Sequence, residues 1–214
     1  MANDTASRVS QVIGVIDKWI DYQTYIREVP GVAVGISVGD QTVFSKGYGV
    51  ADLTSRQPVT PDTRFRIASH SKTFTATAVM QLVADGALRL DDRVVDHLPW
   101  FRADDDENLE HVTVRQLLSH SSGLIRDGDT GHWSNDRFPD LPEIVRQVAT
   151  GPSIYPSNEH LKYSNFAYTL AGQVIEAVTG TTYEEHVAGA ILDQLGLDST
   201  TPDLPADMSG HATG

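Results

Sequence analysis

Two β-prone runs, Val32 to Val38 and Gln41 to Val50, are separated only by Gly39-Asp40, and no feature restricts the fold more. A two-residue connection of this kind makes a tight hairpin turn. A two-stranded hairpin is marginal by itself, so it requires either more strands from outside this chain or another surface that covers it. Ahead of it, Val9, Val12, Ile13, Ile16 and Ile20 recur at helical spacing, which predicts an amphipathic helix over about 7–27 that stops before Pro30-Gly31. From Arg66 onward the pattern is helical almost without interruption. Start signals fall at Thr113 (Thr-Val-Arg-Gln), Asp140 and Thr182 (Thr-Tyr-Glu-Glu). Gly86, Gly123, Gly151, Gly180 and Gly196 each sit just past such a segment, where a left-handed residue ends a helix. The expected organisation is a helix and hairpin over residues 1–60, then a mostly helical domain over 61–214, with no clean linker between them.

Composition narrows the function. The chain has 214 residues, 40% of them hydrophobic and 21% charged, which suits a chain that buries a core and speaks against wholesale disorder. A formal charge of −13 argues against a nucleic-acid partner, since binding a polyphosphate needs a basic patch. The absence of cysteine rules out disulfides, thiolate nucleophiles and Cys-ligated zinc. The first residues lack the basic-then-apolar layout of a signal peptide, and no apolar run reaches membrane-spanning length. A cytoplasmic location is therefore the default and no membrane partner is expected; a periplasmic or secreted location applies if a leader has been removed. The acidic run Asp104 to Glu107 reads as a solvated loop, and Asp127-Gly-Asp129-Thr-Gly131 as a turn, because it lacks the closing glutamate of a calcium loop. The histidines show no zinc-ligand spacing, and no dinucleotide or phosphate-binding glycine motif is present. No metal and no cofactor are expected.

Two serines compete as nucleophiles. GISVG, Gly35 to Gly39, matches the Gly-x-Ser-x-Gly elbow in letters, but that motif must turn from a strand into a helix. Ser37 instead lies in a β-prone run that continues through a turn into another strand. Ser69 opens the predicted helix Ser69 to Ala84, whose buried side carries Phe74, Ala78, Val79, Leu82 and Val83. Residues three apart share a helical face, so Ser69 and Lys72 can meet, whereas His70 and Ser71 point elsewhere. Burial and the positive end of a helix both disfavour an ammonium, which is how a lysine becomes a base. The same helix start offers free backbone N–H groups to a developing oxyanion. Further on, Phe166, Leu170, Ala171, Val174, Ile175 and Val178 mark a helix that places Tyr163 and Asn165 in the loop leading into it. A tyrosine there offers a phenolic proton, and an asparagine offers both a donor and an acceptor.

RIASHSKTFTATAVMQLVADGALRLDDRVVDHLP, VTVRQLLSHSSGL and YSNFAYTLAGQVIEAVTG, in that order and spacing, closely resemble the serine β-lactamase-related family from about residue 6 onward. That family includes class C β-lactamases, D-Ala-D-Ala carboxypeptidases, D-aminopeptidases and carboxylesterases. The resemblance implies a β-lactamase/transpeptidase-like fold of α/β plus all-α type: an antiparallel sheet flanked by helices with a large helical domain. It also implies roles: Ser69 as nucleophile, Lys72 as its base, Tyr163 as a proton shuttle coupled to Lys72, and Asn165 as a ligand of substrate or of Lys72. The family's third motif, Lys-Thr-Gly or His-x-Gly on a downstream strand, has no match. His211-Ala-Thr-Gly214 has the wrong spacing, and Val178-Thr179-Gly180 lacks the basic residue. The remaining strands are thus expected to be missing from this chain and to come from a second polypeptide, the C-terminal remainder of the same protein. The expected function is that of a serine hydrolase acting through an acyl-enzyme on an amide, β-lactam or ester carbonyl of a small-molecule or peptide substrate. The alternative is a non-catalytic binding or scaffolding module that keeps the fold.

Overall fold

A computed structural model describes residues 2–128, 139–203 and 210–213. They fall into two compact units, residues 1–67 with 204–214, and residues 68–203.

The first unit begins with helix α1 (Ala2–Ile26). Half-buried Ile13, Ile16 and Ile20 recur along one side of it, and Pro30 lies just past its end. Strands β1 (Gly31–Val38) and β2 (Gln41–Gly49) pair antiparallel, Gly31 opposite Gly49 and Val38 opposite Gln41, with a bulge at Ile36/Ser37. Gly39 takes φ +59° at the first turn position, the conformation that a two-residue hairpin with glycine leading demands. Asp17 of α1 accepts bonds from Lys46 Nζ and from the hydroxyl of buried Tyr48, both at 2.7 Å, and so ties the helix to β2. A side chain at Gly47 would run into the Val59 carbonyl, so glycine there lets the Val59 segment cross the strand closely. Residues 210–213 join the same unit. Arg64 N–H donates to Gly210 O at 2.9 Å, Ala212 N–H to Arg64 O at 2.8 Å, and Thr213 N–H to Ala51 O at 2.8 Å.

The second unit is helical but more interrupted than its sequence pattern suggests. A 3-10 turn (Ala68–His70) leads into α2 (Ser71–Ala84), followed by α3 (Val94–His97), α4 (Val114–Leu118), α5 (Leu141–Val148), α6 (Asn165–Thr179) and α7 (Tyr183–Val187). A π turn (Ala188–Leu192) and the single turn α8 (Asp193–Leu195) follow. Thr113, Asp140 and Thr182 each cap a helix with a reciprocal capping box, to Gln116, Glu143 and Glu185 respectively. Gly180 and Gly196 end α6 and α8 at φ +71° and +63°. Helix α6 runs through the core, burying Phe166, Ala167, Leu170, Ala171, Val174 and Ile175 at a spacing of one helical turn. The same core cluster holds Phe101, Leu88, Leu109, Leu117 and Leu124, all fully buried. Each such side chain contributes about 1.5–3 kcal/mol of burial free energy, which fixes α6 as a rigid support for the residues at its N-terminal end. Among the described residues no helix is long and apolar enough to cross a membrane.

Candidate active site

Ser69 sits in the 3-10 turn that leads into α2, and Lys72 in the first turn of α2 itself. The α-helix thus begins two residues later than its apolar spacing predicts. Ala68, directly before Ser69, has φ +45°, a conformation that side-chain-bearing residues adopt at a cost, and from it the chain winds tightly before the α-helix starts. Lys72 remains on the same face, with Nζ 3.4 Å from Ser69 Oγ. His70 and Ser71 are exposed.

The opposite side of the site is made by the segment 119–128 and by the start of α6. Gly123 holds φ +78° with the Tyr155 carbonyl pressed against the place a Cβ would occupy. This lets the segment exchange backbone bonds with residues 152–154: Ile125 N–H donates to Pro152 O and Ile154 N–H to Gly123 O, both at 2.8 Å. Ser164, fully buried, caps α6 by accepting from Ala167 N–H at 2.8 Å while donating to Ile125 O at 2.7 Å. Ser164 is therefore the N-cap, and Asn165, expected in the loop before the helix, is its first residue. Its backbone N–H donates to Arg126 O at 2.7 Å.

These anchors bring Tyr163 and Asn165 to Ser69 and Lys72. Tyr163 Oη donates to Ser69 Oγ at 2.7 Å, and Lys72 Nζ donates to Asn165 Oδ1 at 2.5 Å. The Lys72 ammonium also lies 4.8 Å from the centre of the Tyr163 ring. All four residues expected from the sequence meet in one cluster. Contact with Lys72, then the bond with Ser69, hold the Tyr163 hydroxyl below its ordinary range; partial burial opposes them, and the charges of Lys72 and Arg126 add to them. Ser37 has no comparable neighbourhood. It lies on β1, its Oγ 3.5 Å from Thr42 Oγ1 across the hairpin, and the chain continues into β2 rather than into a helix.

Four further residues complete the cluster. His120 lies beside the Tyr163 ring at 4.5 Å and the Tyr168 ring at 5.2 Å. Its Nδ1 accepts Ser164 N–H at 3.2 Å, so the proton of the neutral ring is on Nε2. Burial and the nearby Lys72 charge both push His120 toward the neutral form. Asn165 Nδ2 donates to Asp127 Oδ1 at 2.6 Å, and Arg126 Nε pairs with Asp127 Oδ2 at 3.3 Å. Tyr168 donates to Leu118 O at 3.0 Å. The only signal for His120 was its place inside LLSHSSGL; Asp127 reads as the start of a turn, of which Asp129 to Gly131 lie outside the described residues. Among the described residues no group of histidines and carboxylates is arranged to hold a metal ion.

The fold and this cluster define a β-lactamase/transpeptidase-like protein. A family model described as beta-lactamase matches residues 16–213, and the chain belongs to that family. It is 37% identical over 173 residues to penicillin-binding protein 4 of Amycolatopsis lactamdurans, a stretch that covers 79% of this chain and 44% of that protein. It is 29% identical over 196 residues to protein flp of Staphylococcus aureus strain N315, covering 92% of this chain and 39% of that one. Among solved structures it superposes on a class C beta-lactamase with a TM-score of 0.81 at 27% identity, covering 95% of this chain and 55% of the other. It also superposes on the octameric penicillin-binding protein homologue from Pyrococcus abyssi, with a TM-score of 0.75 at 32% identity, covering 87% and 43%. The chain thus spans about half or less of the length of these relatives.

Proposed function

We propose that this chain carries the nucleophile and proton-transfer residues of a serine hydrolase that acts through an acyl-enzyme on an amide, β-lactam or ester carbonyl. The convergence of Lys72 Nζ and Tyr163 Oη on Ser69 Oγ carries this reading. Ser69 Oγ attacks the carbonyl carbon and forms a C–O bond while its proton passes to the Lys72–Tyr163 pair. The pair then hands that proton to the departing nitrogen or oxygen as its bond to carbon breaks. Water hydrolyses the acyl-enzyme by the same transfers in reverse order. Tyr163 and Lys72 both donate to Ser69, so one of them must give up a proton before it can accept the serine's. The lowered proton affinity of Tyr163 suits that exchange. Asn165 holds Lys72 in place through its carbonyl oxygen.

We further propose that full activity needs strands beyond the hairpin, from the downstream remainder of the same protein, to supply the second oxyanion donor. The two-stranded sheet and the greater length of the relatives support this.

The test is covalent labelling with a fluorescent penicillin and a fluorophosphonate, together with turnover of a nitrophenyl ester. The native protein should be labelled at Ser69. The S69A variant should lose both labelling and turnover, K72A should lose nearly as much because the groups act as a unit, and S37A should keep most of both. An unlabelled native protein would establish the binding-module alternative instead.

A further inference from the structure

We infer that Asp127 is a positioning residue of this site: it fixes the side-chain amide of Asn165 so that the carbonyl oxygen, and not the NH2 group, faces Lys72. The inference rests on the acyl-enzyme reading above, and its test separates the two.

An asparagine amide is nearly symmetric in shape, and turning it by 180° exchanges an acceptor for two donors. Facing Lys72, only one of the two orientations works. An ammonium has three donors and no acceptor, so an NH2 group turned toward it would put donors against donors. Nothing within Asn165 itself enforces the choice. Asp127 does, because an ionised carboxylate is acceptor-only. Its Oδ1 takes the Asn165 Nδ2 proton at 2.6 Å, which obliges Oδ1 of Asn165 to point the other way, where it meets Lys72 Nζ at 2.5 Å. The sequence Asp127–Asn165–Lys72–Ser69 is therefore an ordered line of hydrogen bonds ending on the nucleophile.

Asp127 is itself well held. Its side chain is 21% exposed, and its second oxygen pairs with Arg126 Nε at 3.3 Å. The backbone carbonyl of Arg126 accepts the N–H groups of Asn165 and Phe166 at 2.7 and 3.1 Å, so the start of α6 and the Asp127 segment move as one. Both ends of the Asn165–Asp127 bond are thus fixed by backbone contacts that do not involve the bond. A bond between two pre-placed groups serves orientation more than folding, and its loss should register in the chemistry of Ser69.

The experiment measures the acylation rate of the full-length protein by a fluorescent penicillin in the native sequence, D127A, D127N, N165A and the D127A/N165A pair, with thermal unfolding as the control for folding. D127A should slow acylation roughly tenfold to a hundredfold, the range for a hydrogen bond to a charged group, with a smaller change in the concentration that half-saturates the rate. D127N, whose own carbonyl can still accept from Asn165 Nδ2, should stay within about threefold of native, because it preserves the acceptor. In the N165A background, D127A should cost nothing further, since there is no amide left to orient. If D127A does not fold, D127L removes the acceptor while keeping side-chain volume and takes its place. Native acylation rates in D127A or D127L, or an equal loss with and without Asn165, would overturn the inference while labelling of Ser69 still upheld the hydrolase reading. Failure of the native protein to be labelled at all would overturn both.

Discussion

Ser69 Oγ accepts hydrogen bonds from both Lys72 Nζ and Tyr163 Oη, and the consequence at the scale of single residues is a pH dependence. Tyr163 is held below its ordinary value of 10.0 by Lys72 and Ser69. A lowered value means that the phenolate, which can take the serine's proton, is populated at a lower pH than in a free tyrosine. The acylation rate should therefore rise with pH and level off before the pH at which ordinary tyrosines ionise, and Y163F should both remove that limb and slow acylation by about 10²–10⁴, the contribution of a positioned proton acceptor. A pH–rate profile of native and Y163F proteins checks this. A limb that survives in Y163F would assign it to another group. His120 cannot substitute, because its Nδ1 is occupied by Ser164 N–H and its ring is packed against Tyr163.

At the scale of elements, α6 determines where Tyr163 and Asn165 stand. Leu170 lies one turn and a half inside it and is fully buried. Leu170→Ala should destabilise the protein by about 2–5 kcal/mol, the usual cost of such a truncation in a packed core, which denaturant unfolding will measure. The α1–β2 contact gives a second expectation. Lys46, then Tyr48, hold Asp17 below its ordinary value of 3.8. A carboxylate whose value is lowered on folding stabilises the fold above its unfolded value, and that contribution is lost as pH falls through the lowered one. Stability should thus decline as pH drops below about 4, and D17N, which lacks the ionising group, should show a flatter decline over the same window while being less stable at neutral pH. Thermal unfolding between neutral and acid pH follows both.

For the whole molecule, the outward side of α1 is the telling feature. Val12, Val15, Trp19, Tyr22 and Ile26 recur at three- and four-residue intervals along it, and all are exposed, Val15 by 69% and Trp19 by 61%. This is a second apolar stripe on a helix whose Ile13, Ile16 and Ile20 form the half-buried one. We propose that this exposed stripe is covered by a partner. Together with the two-stranded sheet, it leads us to expect that the 214-residue chain by itself binds an apolar dye and self-associates, and that adding the downstream segment suppresses both. Acylation should rise with that addition by about 10²–10³, the worth of one oxyanion donor. Light scattering and labelling rates on the chain with and without the segment decide it; a monomeric, fully active chain would refute the requirement.

What the sequence determined by itself is what depends on neighbours a few residues apart. The hairpin turn at Gly39-Asp40, the capping boxes at Thr113 and Thr182 and the stop at Gly180 are local, because each is settled by backbone dihedrals and by bonds that span three or four residues. The Ser69–Lys72 contact was legible for the same reason, since helical geometry places i and i+3 on one face. Tyr163 and Asn165 were legible only through the ordered resemblance of three segments, because no local rule joins them to Ser69 and Lys72, 94 and 93 residues away. Tertiary structure alone decided the rest. It put the carboxylate of Asp127 on the amide of Asn165, 38 residues away, and the ring of His120 beside Tyr163. Those contacts exist because the core packing of α6 and the backbone bonds of segment 119–128 bring two loops to one place, and a residue's partners across such a junction are set by the packing of everything between them.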